Sequence, residues 1–217
     1  MPAAKPSLRI SEIFCSLQGE AREVGFPTVF IRLTGCPLRC TWCDTAYAFH
    51  GGDNLDLETI LARVALYNTP RVTVSGGEPL AQKQCTDLLK LLCDKGYQVS
   101  LETSGAIDIS GVDARVVKVI DVKAPGSGES GKNRVENFDF ISANDQLKFV
   151  IKDRGDYDWS LGFIDQYVLS KRCDILFSPV YDVMSATDLA NWLLEDQRQI
   201  RLQIQLHKYL WGEVAGT

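Results

Sequence analysis

The 217-residue sequence predicts an α/β protein built as an incomplete, TIM-like (β/α) barrel of parallel strands. Three observations lead there. Short β-rich runs alternate with segments of helical apolar periodicity, the pattern of parallel strands joined by right-handed crossovers. Six or seven such strands follow an N-terminal one, fewer than a closed barrel has. A full eight-fold barrel usually takes about 250 residues, more than this chain offers. A doubly wound open sheet is the competing architecture.

The elements follow in order. Residues 28–33 (TVFIRL) are a β-rich run. Residues 57–67 (LETILARVALY) place apolar side chains at 57, 60, 61 and 64, a helical stripe, with Asp56 as candidate N-cap and Asn54 competing. Residues 71–75 (RVTVS) are a strand, and 86–94 (TDLLKLLCD) a helix ended by Gly96. Strands follow at 97–101, 116–122 (VVKVIDV) and 146–151 (QLKFVI), then a helix over 157–169. Residues 174–177 read as a strand, 186–195 as a helix and 201–205 (RLQIQ) as a last strand. Residues 112–114 are too short for a helix, so the crossover there stays undefined. No internal repeat or long linker divides the chain, which reads as a single domain over 1–217. Residues 124–132 (APGSGESGK) read as one flexible loop. They lack the spacing of a phosphate loop because Asn133 follows Lys132.

Composition narrows the partners. The net charge of −5 and a pI near 5.1 argue against a nucleic-acid backbone or an anionic membrane as main partner. No apolar run approaches the roughly 20 residues of a spanning helix. The start, MPAAKPSLR, has no apolar stretch of a secretion signal, so the expectation is a cytoplasmic, reducing setting. Seven cysteines in that setting are not a disulfide framework. Cys15, Cys85, Cys93 and Cys173 are scattered and read as small buried hydrophobes.

Cys36, Cys40 and Cys43 are different. They lie within eight positions, in the turn-forming GCPLRCTWCDT that follows the run 28–33. Other polar or glycine-rich segments also follow strands: GGEPL (76–80), ETSG (102–105), Lys123 with its Gly/Ser loop, and His207. In βα folds function gathers where strands end, and these segments converge on one rim. A tetrahedral zinc site or an ordinary iron–sulfur cluster takes four protein ligands. His50 offers a fourth ligand for a zinc site. Alternatively, three thiolates hold a [4Fe–4S] cluster and leave one iron open to a small molecule. The triplet alone does not choose; the glycine-rich rim and the barrel pattern favour iron–sulfur.

CPLRCTWC, with Trp42 as the aromatic, and GGEP at 76–79 resemble the cysteine and methionine-binding segments of radical S-adenosylmethionine enzymes. EIFCSLQGE (12–20), FIRLTGC (30–36), CDT (43–45), ETSG and QLHKYLWG (205–212) together resemble the 7-carboxy-7-deazaguanine synthase family. The resemblance runs from about residue 10 to 212. It implies the radical S-adenosylmethionine fold. It implies that Cys36, Cys40 and Cys43 ligate the cluster, and that Trp42, Cys43 and Asp44 contact S-adenosylmethionine largely through backbone. Gly77 and Glu78 would hold its methionyl end, with Ser104, Asp121, Val122 and Lys123 nearby. The family often has Ser-Pro-Lys where this chain has Asp-Val-Lys, so Lys123 transfers best. Leu17, Gln18, Gly19 and Arg32 would bind a pterin substrate, with Glu20, Ser75 and His207 beside it, and Thr45 would ligate Mg²⁺.

The implied chemistry is radical ring contraction of 6-carboxy-5,6,7,8-tetrahydropterin, with loss of ammonia, on the route to queuosine and other deazapurines. A protein electron donor such as a flavodoxin or ferredoxin, and a homodimer, are implied as well. The residue types suit these roles. A guanidinium fork matches a carboxylate, Gln18 and Glu20 can read ring N–H groups, and Mg²⁺ takes oxygen ligands. Each also has a plainer reading: Arg32 as a surface arginine, Gln18-Gly19 as a turn, His207 as structural, Lys123 as solvated. Trp159 and Trp192 read as core. An activase that places a radical on a partner protein is the alternative function, and it would show a docking surface in place of a small-molecule pocket. A zinc-binding interaction module is a third. The chain also departs from the family pattern by continuing past Trp211. In related enzymes the terminal carboxylate contacts substrate, so Glu213, or a folded-back terminus, is expected to supply that charge, unless the tail is frayed.

Overall fold

The computed structural model describes residues 6–214 and Gly216. The expectations for the first five residues and for a folded-back carboxylate at Thr217 lie outside the described residues. β1 (Ser7–Leu17) pairs antiparallel with β2 (Pro27–Leu33), and β3 (Asp53–Asp56) pairs antiparallel along the other side of β1. From β2 onward the sheet is parallel through β4 (Arg71–Gly76), β5 (Gln98–Thr103), β6 (Val117–Val122), β7 (Gln146–Ile151), β8 (Asp174–Pro179) and β9 (Arg201–Leu202). The order is β3-β1-β2-β4-β5-β6-β7-β8-β9. β3 and β9 are the two edges and do not meet, so the barrel is incomplete, as the chain length predicts.

Local chemistry explains the helices. α1 (Leu57–Val64) is capped by Asp56, whose side chain accepts from the Thr59 N–H at 2.7 Å; Asn54 plays no such part. α2 (Cys85–Asp94) ends at Lys95 and Gly96, whose φ of +86° suits a residue without Cβ. α3 (Arg154–Gln166) begins three residues earlier than the apolar pattern suggests. The Asp153 carboxylate accepts from Asp156 N–H at 3.0 Å and starts it there. Ser185 caps α4 (Ala186–Asp196) in the same way.

Two expectations change, and the crossover left undefined is resolved. The last strand stops at Leu202, and the chain enters a short helix α5 (Leu206–Trp211) that carries His207. The crossover from β5 to β6 contains no α-helix. The buried Asn137 amide stands in for one, donating to Gly105 O and Ile107 O at 2.9 Å and accepting from Ile109 N–H. Cys15 is exposed, because it sits on the outer face of β1, whereas Cys85 is buried in the core and Cys93 and Cys173 pack against it. Trp159 stacks on Phe163 and Trp192 meets Tyr157 edge-on, both against the core. No helix among the described residues is long and apolar enough to cross a membrane.

Candidate active site

Alternation along the parallel strands divides them into two faces. Val72, Val74, Val99, Leu101, Ile120, Val122, Leu147 and Phe149 point outward into the core under the helices. Thr73, Ser75, Glu102, Asp121 and Lys148 lie on the other face and line a cavity of about 730 Å³, or bond to groups that do. A closed barrel fills its interior with branched apolar side chains; this lumen is open, and polar side chains share its lining with apolar ones.

The SLQGE segment is the floor of that cavity. Beyond β1 the hairpin turns inward. The Gln18 amide donates to Thr73 Oγ1 at 3.0 Å and its carbonyl accepts from Glu20 N–H at 3.1 Å. The Glu20 carboxylate takes Lys148 Nζ at 2.6 Å and the amides of Gln203 and Gln205 at 3.3 and 2.8 Å. Gly19 O accepts from Leu206 N–H, and Ala21 N–H donates to Gln203 Oε1 at 2.7 Å. The floor therefore spans the lumen from the first strand to the chain beyond the last. A side chain on Gly19 would collide with the His207 ring, so glycine is required there.

The upper wall is the cysteine segment, with the backbone of Gly77 packed against Gly35 and Cys36 so closely that no Cβ fits. Gly77 N–H donates to Leu33 O and Glu78 N–H to Gly35 O. Asp44 is held by Lys208 Nζ at 3.1 Å and accepts from Thr45 Oγ1 at 3.0 Å. Burial opposes its charge, but Lys208, together with Lys148 and the Thr45 hydroxyl, outweighs burial and brings the carboxyl down to about 2. At the side, Arg32 Nε meets Glu12 Oε1 at 2.6 Å, and the Tyr47 hydroxyl donates to the same oxygen at 2.8 Å.

The Radical SAM superfamily model matches residues 30–165. A 7-carboxy-7-deazaguanine synthase of Koribacter versatilis is 42% identical, over 94% of this chain and 97% of that one. A second, from Chlorobaculum tepidum, is 41% identical over 96% of each. The chain belongs to the 7-carboxy-7-deazaguanine synthase family of the radical SAM superfamily. The crystal structure of QueE from Escherichia coli shares the fold, with a TM-score of 0.77 at 23% identity over 93% of this chain and 95% of that one.

Within this family's frame, every residue expected at the site lines the cavity except Glu78 and Val122. Val122 points outward into the core. Glu78 is fully buried behind the wall, and its carboxylate is filled by Leu80 N–H, Thr103 Oγ1 and both the N–H and hydroxyl of Ser104. It shapes the GGEP turn and fixes Ser104; its side chain does not reach the cavity. Glu213 lines the mouth, 72% exposed and 3.9 Å from Lys208 Nζ, and Gly216 lies there as well.

Among the lining residues left without an individual role by the sequence are Glu102, Lys148, Gln205 and Lys208, three of them inside the ETSG and QLHKYLWG motifs. Lys148 carries a signal, a lone cation in the otherwise apolar QLKFVI. Lys148 is held charged, because Glu20, Asp121 and Glu102 outweigh its burial. Burial, followed by the Glu20 charge, pushes the Glu102 carboxyl up. Burial pushes His207 down against the pull of Glu20, which favours the uncharged ring.

The donor set fits the family's cofactors. Among the described residues no three His, Cys, Asp or Glu converge on a single ion, and His50 is exposed, so the Cys₃His zinc alternative is not assembled. A four-iron cluster places each thiolate on a separate iron and needs no such convergence. Burial pushes the Cys36 and Cys40 thiols up, which a bound metal reverses. Asp121 gives Lys123 Nζ one oxygen at 3.1 Å, and its other oxygen has no partner, an acceptor ready for a ligand N–H or O–H.

Proposed function

We propose that this chain converts 6-carboxy-5,6,7,8-tetrahydropterin to 7-carboxy-7-deazaguanine with loss of ammonia, in cytoplasmic deazapurine and queuosine biosynthesis. The observation that carries the reading is the open lumen, walled by the cysteine segment and floored by SLQGE. Cys36, Cys40 and Cys43 would hold a [4Fe–4S] cluster and the rim would hold S-adenosylmethionine, and together these would supply radical chemistry for hydrogen abstraction at substrate C6.

The chain's own groups bind and orient. Gln18, Glu20 and Glu102 offer the floor's donors and acceptors to the pterin edge. Arg32 keeps its terminal nitrogens for the substrate carboxylate while Glu12 holds Nε and so fixes the plane of the fork. The His207 ring, close against Gly19, offers one donor and one acceptor when uncharged. Trp42, Asp44, Gly77, Ser104, Asp121 and Lys123 surround the cofactor's place on the rim. Thr45, already oriented by Asp44, is the protein ligand for a Mg²⁺ shared with the substrate; a lone hydroxyl is weak, so the ion depends on substrate oxygens. Glu213 stands at the mouth, where its charge offsets Lys208. Electrons come from a flavodoxin or ferredoxin, and the active form is a homodimer; both rest on the family resemblance.

The activase alternative calls for a docking surface without a small-molecule pocket, and the cavity speaks against it. Anaerobically reconstituted protein, given carboxytetrahydropterin, S-adenosylmethionine and reductant, should release 7-carboxy-7-deazaguanine and ammonia in equal amounts. Cofactor cleavage without that product overturns the reading. Thr45→Val should lose Mg²⁺ stimulation of turnover and keep its iron; full stimulation in the variant removes Thr45 from the metal.

A further inference from the structure

The cysteine segment has no regular secondary structure. Its backbone must find partners elsewhere. Two of its N–H groups, those of Arg39 and Thr41, flank Cys40, and both go to the Gly/Ser-rich loop. Arg39 N–H donates to Glu129 Oε1 at 2.5 Å and Thr41 N–H to Ser127 O at 3.1 Å. The Thr41 hydroxyl adds a third bond, to Gly126 O at 2.8 Å. The Arg39 side chain then folds back over its own turn, donating to Cys36 O and Leu38 O and lying on the Phe49 ring at 4.3 Å.

That loop is pinned, contrary to the flexible loop its composition suggests. Asn133 staples its ends, accepting from Lys123 N–H and donating to Lys123 O, both at 2.8 Å. Its centre is anchored on the buried Asp156 of α3, whose carboxylate accepts from Gly126 N–H at 2.7 Å. A Cβ at Gly126 would strike that carboxylate, so the glycine permits the approach. Gly128 turns the chain back with φ of +77°.

We propose that the loop at residues 124–132 is a clamp that holds both flanks of Cys40 in the cluster-binding shape, with Glu129 and Asp156 as positioning residues. The bonds run from α3 through Asp156 and Gly126 to Thr41, and from Glu129 to Arg39. The loop thus transmits the rigidity of the β7–α3 unit to a segment that has none of its own. The proposal rests on reading Cys36, Cys40 and Cys43 as cluster ligands.

The test compares Glu129→Ala, Glu129→Gln and Thr41→Val. In metal-free protein, trypsin should cut after Arg39 about ten-fold faster in Glu129→Ala, equivalent to about 1.4 kcal/mol of lost tethering. Glu129→Gln, whose amide oxygen still accepts from Arg39 N–H, should cut near the parent rate. In reconstituted protein, release of iron to a chelator should accelerate in the same order, with unfolding midpoints unchanged. Thr41 is exposed, so Thr41→Val folds in any case and should shift both readouts in the same direction by a few-fold. Parent-like cleavage and iron release in Glu129→Ala and Thr41→Val overturn the clamp, as does a Gln variant impaired as much as Ala. A parent protein that takes up no iron, while the cleavage order holds, defeats the cluster reading and leaves the clamp standing.

Discussion

The outward and inward faces of β4 to β7 share one backbone and differ in nearly every property. Outward, Val72, Val74, Leu101, Ile120, Leu147 and Phe149 are at most 1% exposed and belong to the hydrophobic core. Inward, Thr73 bonds to Ser100 at 2.8 Å, Ser75 to Glu102 at 2.8 Å, and Asp121 and Lys148 join Glu20 and Lys123 in a charged group. The difference teaches that one position's parity along a strand decides whether it serves stability or chemistry. An unclosed sheet makes that division possible, because the lumen is wide enough to hold ligands and needs no apolar filling.

Substitutions on the two faces test this division. The largest loss of stability is expected outward. Phe149→Ala removes a ring packed 5.5 Å from Phe177 and should cost about 3–5 kcal/mol, read as a lower urea midpoint, while the folded fraction still assembles its cluster. An unchanged midpoint would erase the contrast between the faces.

Lys148→Met is expected to cost less stability, about 1–2 kcal/mol, because Glu20 keeps two amides and Asp121 keeps Lys123. Its turnover should fall roughly 10- to 100-fold, as the floor loses the cation that orients Glu20. Should it unfold as readily as Phe149→Ala with normal turnover per folded molecule, the inward face is structural after all.

The smallest effect belongs to Glu102, and it is a matter of pH. Its folded carboxyl titrates above the ordinary value, so the folded state holds the proton more tightly than the unfolded one. That contribution is fully present below the unfolded pKa and is lost as pH rises through the folded one. Glu102→Gln should therefore flatten the decline in unfolding midpoint across that window. Parallel pH profiles for parent and variant would show that burial and the Glu20 charge do not raise the Glu102 carboxyl.

The sequence makes much of this legible. The runs RVTVS, QVSL and VVKVIDV are strands because branched residues at period two suit a pleated surface. Asp56 and Gly96 mark helix ends through side-chain capping and positive φ, both local effects. β3 and the early start of α3 were hidden. DNLD becomes a strand only because β1 runs beside it, and the apolar stripe of α3 begins after its cap. At the site, cysteine spacing, GGEP, SLQGE and His207 could be read because each is a short motif. Glu78 could be named but not placed: whether its carboxylate faces the cavity or Ser104 depends on a strand 25 residues away.

By itself the sequence determined the parallel βα order, the incomplete barrel, the cysteine triplet and the family. The order and the barrel rest on periodicity, turn chemistry and chain length, and the family on the resemblance of its short motifs, each a run of neighbouring residues. Only the tertiary structure decided that SLQGE is a floor, that Lys148 answers Glu20 across 128 positions, and that Gln203 and Gln205 reach it from beyond the last strand. It also turned APGSGESGK from a flexible loop into a pinned one that bonds Arg39 and Thr41. The physical reason is that a buried charge or an unpaired N–H must find a partner, but which partner depends on where the folded chain returns, and no local pattern records that.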